Sequence, residues 1–336
     1  MRLLKAGRAL VPVDAADPLP GPGQVRLKVC ACGVCRTDLH ICDGDLPLSG
    51  PRVLGHEVVG VVDLVGAGVE SLKAGDRVGA PWLARTCGRC RFCLAAAENL
   101  CDAADFTGWT VDGGYATAMI ADAKALLPIP DLYSDAEAAP LLCAGLIGYR
   151  SWRMACEAAG SVHALGLYGF GVAAHLLAQL AIAQGQTVYA FVRPGDEPAA
   201  AFALSLGCAW AGGSDEAAPA TLDAAIIFAP DGGLVPKALA AVRKGGAVVC
   251  GGIHMSEIPA FSYDLLWGER KLLSVANLQR RDGRDYLPLA AAAGVRPHVT
   301  VFPLRQADAA LEAVRQGSLA GAAVLIPEDP APANRP

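Results

Sequence analysis

Up to Pro140 the apolar positions come in short runs broken by glycine and proline: Gln24–Cys30, Glu57–Val65, Arg77–Ala80 and Tyr115–Ile120. Runs of this length between turn residues predict strands, so this half is expected to be mostly β. From about Leu146 the texture changes. Nearly continuous apolar runs at Ser161–Leu167, Thr187–Val192, Ala224–Ala229, Ala247–Cys250 and Lys271–Val275 alternate with alanine-rich stretches that start near Val172, Pro198 and Pro236. Unbroken apolar strands separated by helices follow the βαβ rhythm of a parallel sheet covered on both faces. From Tyr286 two short helices are expected, then the apolar run Ala322–Ile326, read as a strand that returns to the first domain. The Pro/Ala-rich tail, 327–336, is expected to fray. The fold class predicted is α/β: a mostly-β domain plus a Rossmann-type, doubly wound parallel-sheet domain.

Composition narrows the function. At 336 residues the chain has material for about two domains. The division expected is 1–144 with 287–336 for the first and 145–286 for the second. With 53% hydrophobic and 18% charged residues, disorder is excluded. A formal net charge of −5, with no Lys/Arg block, excludes the electrostatic footprint of a nucleic-acid binder. Ser161–Gln184 carries no charge, but its glycines, its His163, His175 and Gln179, and its change from strand-like to helix-like pattern argue against a membrane span. Met1–Lys5 is not followed by an apolar leader with a small-residue cleavage site, so a cytoplasmic protein is expected. In that compartment the 12 cysteines are better read as metal ligands or small apolar side chains than as disulfides.

Cys87, Cys90, Cys93 and Cys101 place four thiols in one loop, a lobe over about 85–102. Such a loop cannot build a core of its own, whereas four thiolates around one tetrahedral Zn²⁺ tie it together and close the coordination shell. A structural zinc is expected there. Unligated or disulfide-paired cysteines, and an iron–sulfur cluster, are the alternatives. Cys35, His56 and Cys143 are scattered and singly weak, but two cysteines and one histidine make the three-ligand set of a catalytic zinc with an open position. Cys30, Cys32, Cys42, Cys156, Cys208 and Cys250 are assigned to the interior by default.

Tyr168-Gly169-Phe-Gly171-Val-Ala-Ala174 follows an apolar strand and opens a helix, the setting of a dinucleotide fingerprint. Gly169 permits the tight turn, Gly171 lets backbone approach the pyrophosphate, and Ala174 keeps the helix close to the sheet. At the ribose-reading position stands Val192, not an acid, followed by Arg193. A guanidinium pairs with phosphate, so NADP is favoured over NAD; a solvated Arg193, with Asp196 or Glu197 nearby, is the NAD alternative.

Gly55-His56-Glu57-Val-Val-Gly60, with Gly66 and Val69, resembles the zinc signature of the medium-chain alcohol dehydrogenases, and the Cys87–Cys101 loop resembles their structural-zinc lobe. The resemblance runs over nearly the whole chain. It implies a GroES-like catalytic domain, a catalytic zinc on Cys35, His56 and Cys143, and Glu57 behind that zinc or as an alternate ligand. It further implies a proton relay through Thr37 and His40, a pyrophosphate contact from Arg36, and Asn277 and Leu278 near the nicotinamide. Zinc lowers the pKa of a bound hydroxyl, as it brings bound water from 15.7 to about 7. Thr37 is placed to take the released proton and pass it, through the cofactor ribose, to His40, an imidazole that exchanges with solvent. Trp82 and Trp109 are expected to line a pocket for apolar or aromatic alcohols, aldehydes and ketones, unless they are core.

Ile147, Ala322 and Val192 depart from the family pattern, which bears on cofactor affinity and choice rather than on the zinc ligands. The reading is a zinc-dependent, NAD(P)-linked alcohol dehydrogenase with one catalytic and one structural zinc per chain, acting on a small molecule. A homo-oligomer, dimer or tetramer, is expected. A zinc-free quinone or enone reductase of similar architecture, and a non-catalytic zinc scaffold, are the competitors.

Overall fold

The computed structural model describes residues 1–328; the end of the tail expected to fray lies outside the described residues. The described residues form two compact units, one of Met1–Cys143, Gln279–Leu287 and 297–328, the other of Ala144–Leu278 and Pro288–Arg296.

In the first unit the chain runs through β1 (Gln24–Val34), α1 (Arg36–Asp43), β2 (Glu57–Val65), β3 (Arg77–Ala80), β4 (Leu83–Arg85), α2 (Arg91–Leu94), β5 (Asp105–Phe106), β6 (Ala118–Asp122), β7 (Leu127–Pro128) and α3 (Asp135–Pro140). The second unit follows with α4 (Leu146–Ala159), β8 (Ala164–Tyr168), α5 (Val172–Ala183), β9 (Thr187–Val192), α6 (Glu197–Ser205), β10 (Trp210–Gly213), β11 (Leu222–Ile227), α7 (Leu234–Ala241), β12 (Val242–Cys250) and β13 (Lys271–Ser274). Beyond it lie α8 (Arg280–Ala292), β14 (Val299–Pro303), α9 (Ala307–Gln316) and β15 (Ala322–Ile326).

The sheet of the first unit has the order β14-β15-β1-β2-β3-β7, with β6 also paired to β1. Ala322–Ile326 does return as a strand, antiparallel to β1. Val25, Leu27 and Val29 alternate into the core along β1, and from Ala31 to Val34 every residue is buried. The strand therefore runs on past Cys30, where alternation in the sequence stops, because its far end is enclosed on both faces. The Tyr115–Ile120 strand begins only at Ala118, since the Tyr115 N–H is spent on the Leu54 carbonyl outside the ladder. No helix among the described residues is long and apolar enough to cross a membrane.

The second unit holds a parallel sheet of order β10-β9-β8-β11-β12-β13. Counted within the unit this is the 3-2-1-4-5-6 order of a doubly wound dinucleotide-binding sheet; all its strands are parallel, and the order of winding switches sides between β8 and β11. The middle of the sheet is apolar because helices cover both faces; Leu165, Leu167, Ala224 and Ile226 are fully buried. Of the six cysteines assigned to the interior, Cys32 and Cys208 are buried, whereas Cys30, Cys42, Cys156 and Cys250 are only partly so.

Candidate metal centre

The side chains of the site are delivered by short, strongly constrained segments. Cys35 sits at the N-cap of α1, just beyond the enclosed end of β1, and its N–H donates to Asp38 Oδ2 at 2.9 Å. His56 and Glu57 come at the start of β2, after Gly55, whose φ of +94° and whose contact with Tyr115 and Cys32 admit no side chain. Gly33 pairs with Glu57 across the sheet, and a Cβ at Gly33 would overlap the Glu57 carboxylate. Cys143 lies in a π-turn, Leu141–Gly145, between α3 and α4. Such turns widen the helix and redirect a side chain, and they concentrate at functional sites.

These segments bring Cys35, His56, Glu57 and Cys143 together, with one ligand atom of each within 4.8 Å of all the others. The Cys35 and Cys143 sulfurs are 3.9 Å apart. Two thiolates bonded to one tetrahedral zinc at about 2.3 Å stand about 3.8 Å apart, so the spacing fits a shared ion. A hydrogen bond from Cys143 holds the Cys35 thiol well below its ordinary value against the cost of burial, and the same bond pushes Cys143 well up. Burial, with the Cys35 charge adding, pushes the Glu57 carboxyl well up. Burial pulls His56 down, but Asp38 and Cys35 outweigh it and the ring ends well above its usual value. Both ring nitrogens of His56 are buried without a hydrogen-bond partner. Buried polar atoms are seldom left so, and a metal ion is one of the partners that satisfies them. The donor set and its spacing fit zinc.

Asp38, fully buried, escaped the sequence reading although it lies between Thr37 and His40, both of which that reading named. Its carboxylate accepts from the Cys35 N–H, from Gly55 N–H at 3.3 Å and from the Tyr115 hydroxyl at 3.1 Å, and Oδ1 lies 3.3 Å from His56 Nδ1. That last approach is an ion-pair distance without hydrogen-bond alignment, consistent with the unpartnered ring nitrogens. A carboxylate behind a ligating imidazole orients the ring and raises its basicity. The signal was an acid three residues after a candidate ligand, in capping position. Asp38→Asn is expected to lower metal affinity or turnover about 10- to 100-fold, read by zinc titration and steady-state rates.

Thr37, only 7% exposed, places Oγ1 3.7 Å from Cys35 Sγ. His40 lies on the same helix face, three residues on. Its Nδ1 is 2.9 Å from Asp45 Oδ2; with Nδ1–H donating there, the accepting lone pair is on Nε2. Arg36 is exposed at the start of α1. The Trp82 ring meets His56 edge-on at 4.8 Å and stacks on Trp109 at 5.9 Å, with Phe106 against both. Trp109 is pinned by an indole hydrogen bond to the Pro47 carbonyl at 3.0 Å. Trp82 is thus both core and a wall beside the imidazole.

The second cluster, Cys87, Cys90, Cys93 and Cys101, meets the same 4.8 Å limit, with Cys87 and Cys93 sulfurs 3.9 Å apart. Backbone N–H groups of Cys87, Cys90 and Cys93 point at Cys101, Cys87 and Cys90 sulfurs. The N–H groups of Arg89 and Cys90 bring Cys87 down to about 6, whereas desolvation and the Cys90 side chain push Cys93 up to about 11. Donors aimed at sulfur favour thiolate, the form that binds metal.

In the second unit Gly169 ends β8 with φ +86°, and a Cβ there would run into the Ala229 backbone. Gly171 caps α5 without a side-chain partner, and a Cβ on it would meet only open space. The free N–H groups of that helix end and the missing side chain form a cradle that fits a pyrophosphate. Ala174 is fully buried beneath it. Val192 is buried at the end of β9 and Arg193 is exposed. The Asp196 carboxylate is occupied as the N-cap of α6, accepting from Ala199 N–H at 3.1 Å. Asn277 has a left-handed backbone, and its Oδ1 accepts from the N–H of the buried Leu278 at 2.7 Å. Ile147 and Ala322 are apolar packing positions, the latter buried in β15.

Residues 21–131 match the alcohol dehydrogenase GroES-like domain family. The chain is 45% identical over 322 residues to a Mycobacterium tuberculosis protein named "Probable alcohol dehydrogenase AdhA", covering 94% of this chain and 92% of that one. Among solved structures it resembles a cinnamyl alcohol dehydrogenase of Sorghum bicolor, at 27% identity and TM-score 0.87, over 97% of this chain and 96% of that one. It also resembles the acetophenone reductase of Geotrichum candidum in complex with NAD, at 27% identity and TM-score 0.85, over 96% and 95% of the two chains. With this match running from end to end, over a GroES-like half and a parallel-sheet half, the chain belongs to the medium-chain alcohol dehydrogenase family.

Proposed function

We propose that this NAD(P)-dependent alcohol oxidoreductase works with one catalytic zinc held by Cys35, His56 and Cys143 and one structural zinc held by Cys87, Cys90, Cys93 and Cys101. The convergence of Cys35 and Cys143 to 3.9 Å beside the unpartnered His56 ring carries the reading. Zinc bound there supplies Lewis acidity to the oxygen of an alcohol, aldehyde or ketone, and a bound nicotinamide supplies the hydride acceptor or donor. Thr37, beside Cys35, takes the proton of the substrate hydroxyl at Oγ1 and hands it outward toward His40 Nε2, whose tautomer Asp45 sets. Asp38 orients His56, and Glu57 lies behind the ligands, its carboxyl pushed up by burial. The stacked Trp82–Trp109 wall favours apolar or aromatic substrates over sugars. The Ala144–Leu278 unit binds the dinucleotide, with Gly169, Gly171 and Ala174 under the pyrophosphate and Asn277 and Leu278 at the nicotinamide.

NADP is favoured. Val192 offers no acceptor for a ribose hydroxyl, and the Asp196 carboxylate is already committed to α6, so the exposed Arg193 is read as the phosphate partner, with the exposed Glu197 as the NAD alternative. Arg193→Ala is expected to weaken NADPH binding about 10- to 100-fold while changing NADH binding little, as measured by fluorescence titration of both. Equal effects on the two would dismiss the phosphate role. Free cysteines suit a reducing, cytoplasmic setting. A homo-oligomer is supported by Tyr263 and Trp267, exposed in the segment that leads into the edge strand β13.

The test is chelation followed by zinc restoration, with initial rates on a panel of aldehydes. Loss and recovery of NADPH-linked reduction support the reading; a metal-independent rate points to a zinc-free reductase, and no rate with any substrate points to a scaffold.

A further inference from the structure

Behind the Cys35–His56–Cys143 set, the stance of Asp38 is decided by what its two oxygens accept. The last torsion of an aspartate is broad and roughly two-fold, so hydrogen-bond partners, not the rotamer, fix the plane of the carboxylate. Oδ2 accepts from the Cys35 N–H at 2.9 Å and from the Tyr115 hydroxyl at 3.1 Å; Oδ1 accepts from the Gly55 N–H and faces His56 Nδ1, both at 3.3 Å. The main-chain donors, Cys35 and Gly55, belong to the segments that carry the ligands. Tyr115 brings a side-chain donor from a third segment, 77 positions further along the chain.

That third segment is held tightly. Tyr115 is fully buried, and a Cβ at Gly55 would overlap its ring. The N–H groups of Gly113, Leu54's partner Tyr115, and Gly114 donate to the carbonyls of Val53 at 2.8 Å, Leu54 at 2.9 Å and Gly55 at 3.0 Å, the three residues that lead into His56. A Cβ at Gly113 would overlap the Gly55 carbonyl, so this close approach requires glycine. The Tyr115 hydroxyl therefore stands on a fixed ring, and its bond to a carboxylate is charge-assisted, roughly twice as strong as a neutral one.

We propose that Tyr115 is a positioning residue for the catalytic zinc: its hydroxyl holds Asp38 Oδ2, which keeps Oδ1 turned toward His56 and so holds the imidazole in place for the metal. Tyr115, Asp38 and His56 all lie within Met1–Cys143. This role rests on the reading above that Cys35, His56 and Cys143 hold zinc.

The experiment compares the zinc-loaded full chain with Tyr115→Phe, Asp38→Asn and the double variant. Zinc affinity is measured at both sites by competition with a chromophoric chelator, the catalytic zinc being the one that His56→Ala lacks. Tyr115→Phe keeps the ring and removes only the hydroxyl; it is expected to weaken catalytic zinc about tenfold and to leave lobe zinc within about twofold of the parent. The double variant is expected to hold catalytic zinc no more weakly than Asp38→Asn, because the hydroxyl acts only through the carboxylate. Catalytic-zinc affinity within about twofold of the parent in Tyr115→Phe overturns the proposal, as does an equal loss at the lobe or a double variant in which the separate losses multiply. Should Tyr115→Phe not fold, the parent decides. Coupling is reciprocal, so a zinc ion that gains from the Tyr115–Asp38 bond must strengthen that bond. Exchange of the Tyr115 hydroxyl proton, followed by NMR on ring-labelled tyrosine, is expected to speed about tenfold when catalytic zinc is chelated and lobe zinc kept, and an unchanged rate overturns the proposal. A parent that holds zinc on the lobe alone fails the earlier reading instead, which separates the two.

Discussion

Replacing His56 with alanine is expected to remove one zinc per chain and to lower kcat/KM for alcohol oxidation by about three orders of magnitude. The ring is buried, its nitrogens have no other partner, and it completes the only set among the described residues that joins an imidazole to two thiols. A metal's polarisation of the substrate oxygen is worth several kcal/mol, and a loss of about 4 kcal/mol is about a thousandfold in rate. The substitution also takes away the ring that Trp82 meets edge-on, so circular dichroism must accompany the kinetics to separate lost chemistry from lost fold. An unchanged rate with full zinc content would refute the assignment of His56.

Thr37→Ala is expected to lower turnover about 10²- to 10⁴-fold, the usual worth of a positioned proton-transfer group, while both zincs stay bound. The hydroxyl is nearly buried and lies against Cys35. Thr37→Ser keeps an Oγ on the same helix turn and is expected to restore most of the rate. If Thr37→Ala turned over within about threefold of the parent, the proton would have to leave by another path.

How much of this was legible in the chain depends on how local each feature is. The four-cysteine lobe reads directly from spacing, because all its ligands fall within one loop and no long-range fold is needed to bring them together. The β8–Gly169–α5 connection is equally local, and the alternation of apolar runs with helices carries the parallel sheet. Cys35, His56 and Cys143 are a different matter: their identities are visible, but their meeting depends on the β1–β2 pairing and on a π-turn that no periodicity announces. Asp38 was read past for the same reason. In the sequence it is one more acid in a helix, and only the fold puts Gly55, Tyr115 and His56 around its carboxylate. Strand ends were misjudged where enclosure, not alternation, decides: β1 continues to Val34 because its far end is covered on both faces.

The central claim is that Cys35, His56 and Cys143 share one zinc ion. Anomalous X-ray scattering from a crystal of the zinc-loaded protein, recorded on both sides of the zinc absorption edge, tests it most directly. The account predicts two peaks per chain, one among the four lobe sulfurs and one at about 2.3 Å from the Cys35 and Cys143 sulfurs and about 2.0–2.1 Å from a His56 nitrogen. A peak on the lobe alone, with none within bonding reach of Cys35, His56 and Cys143 in a protein that still oxidises alcohols, would contradict it.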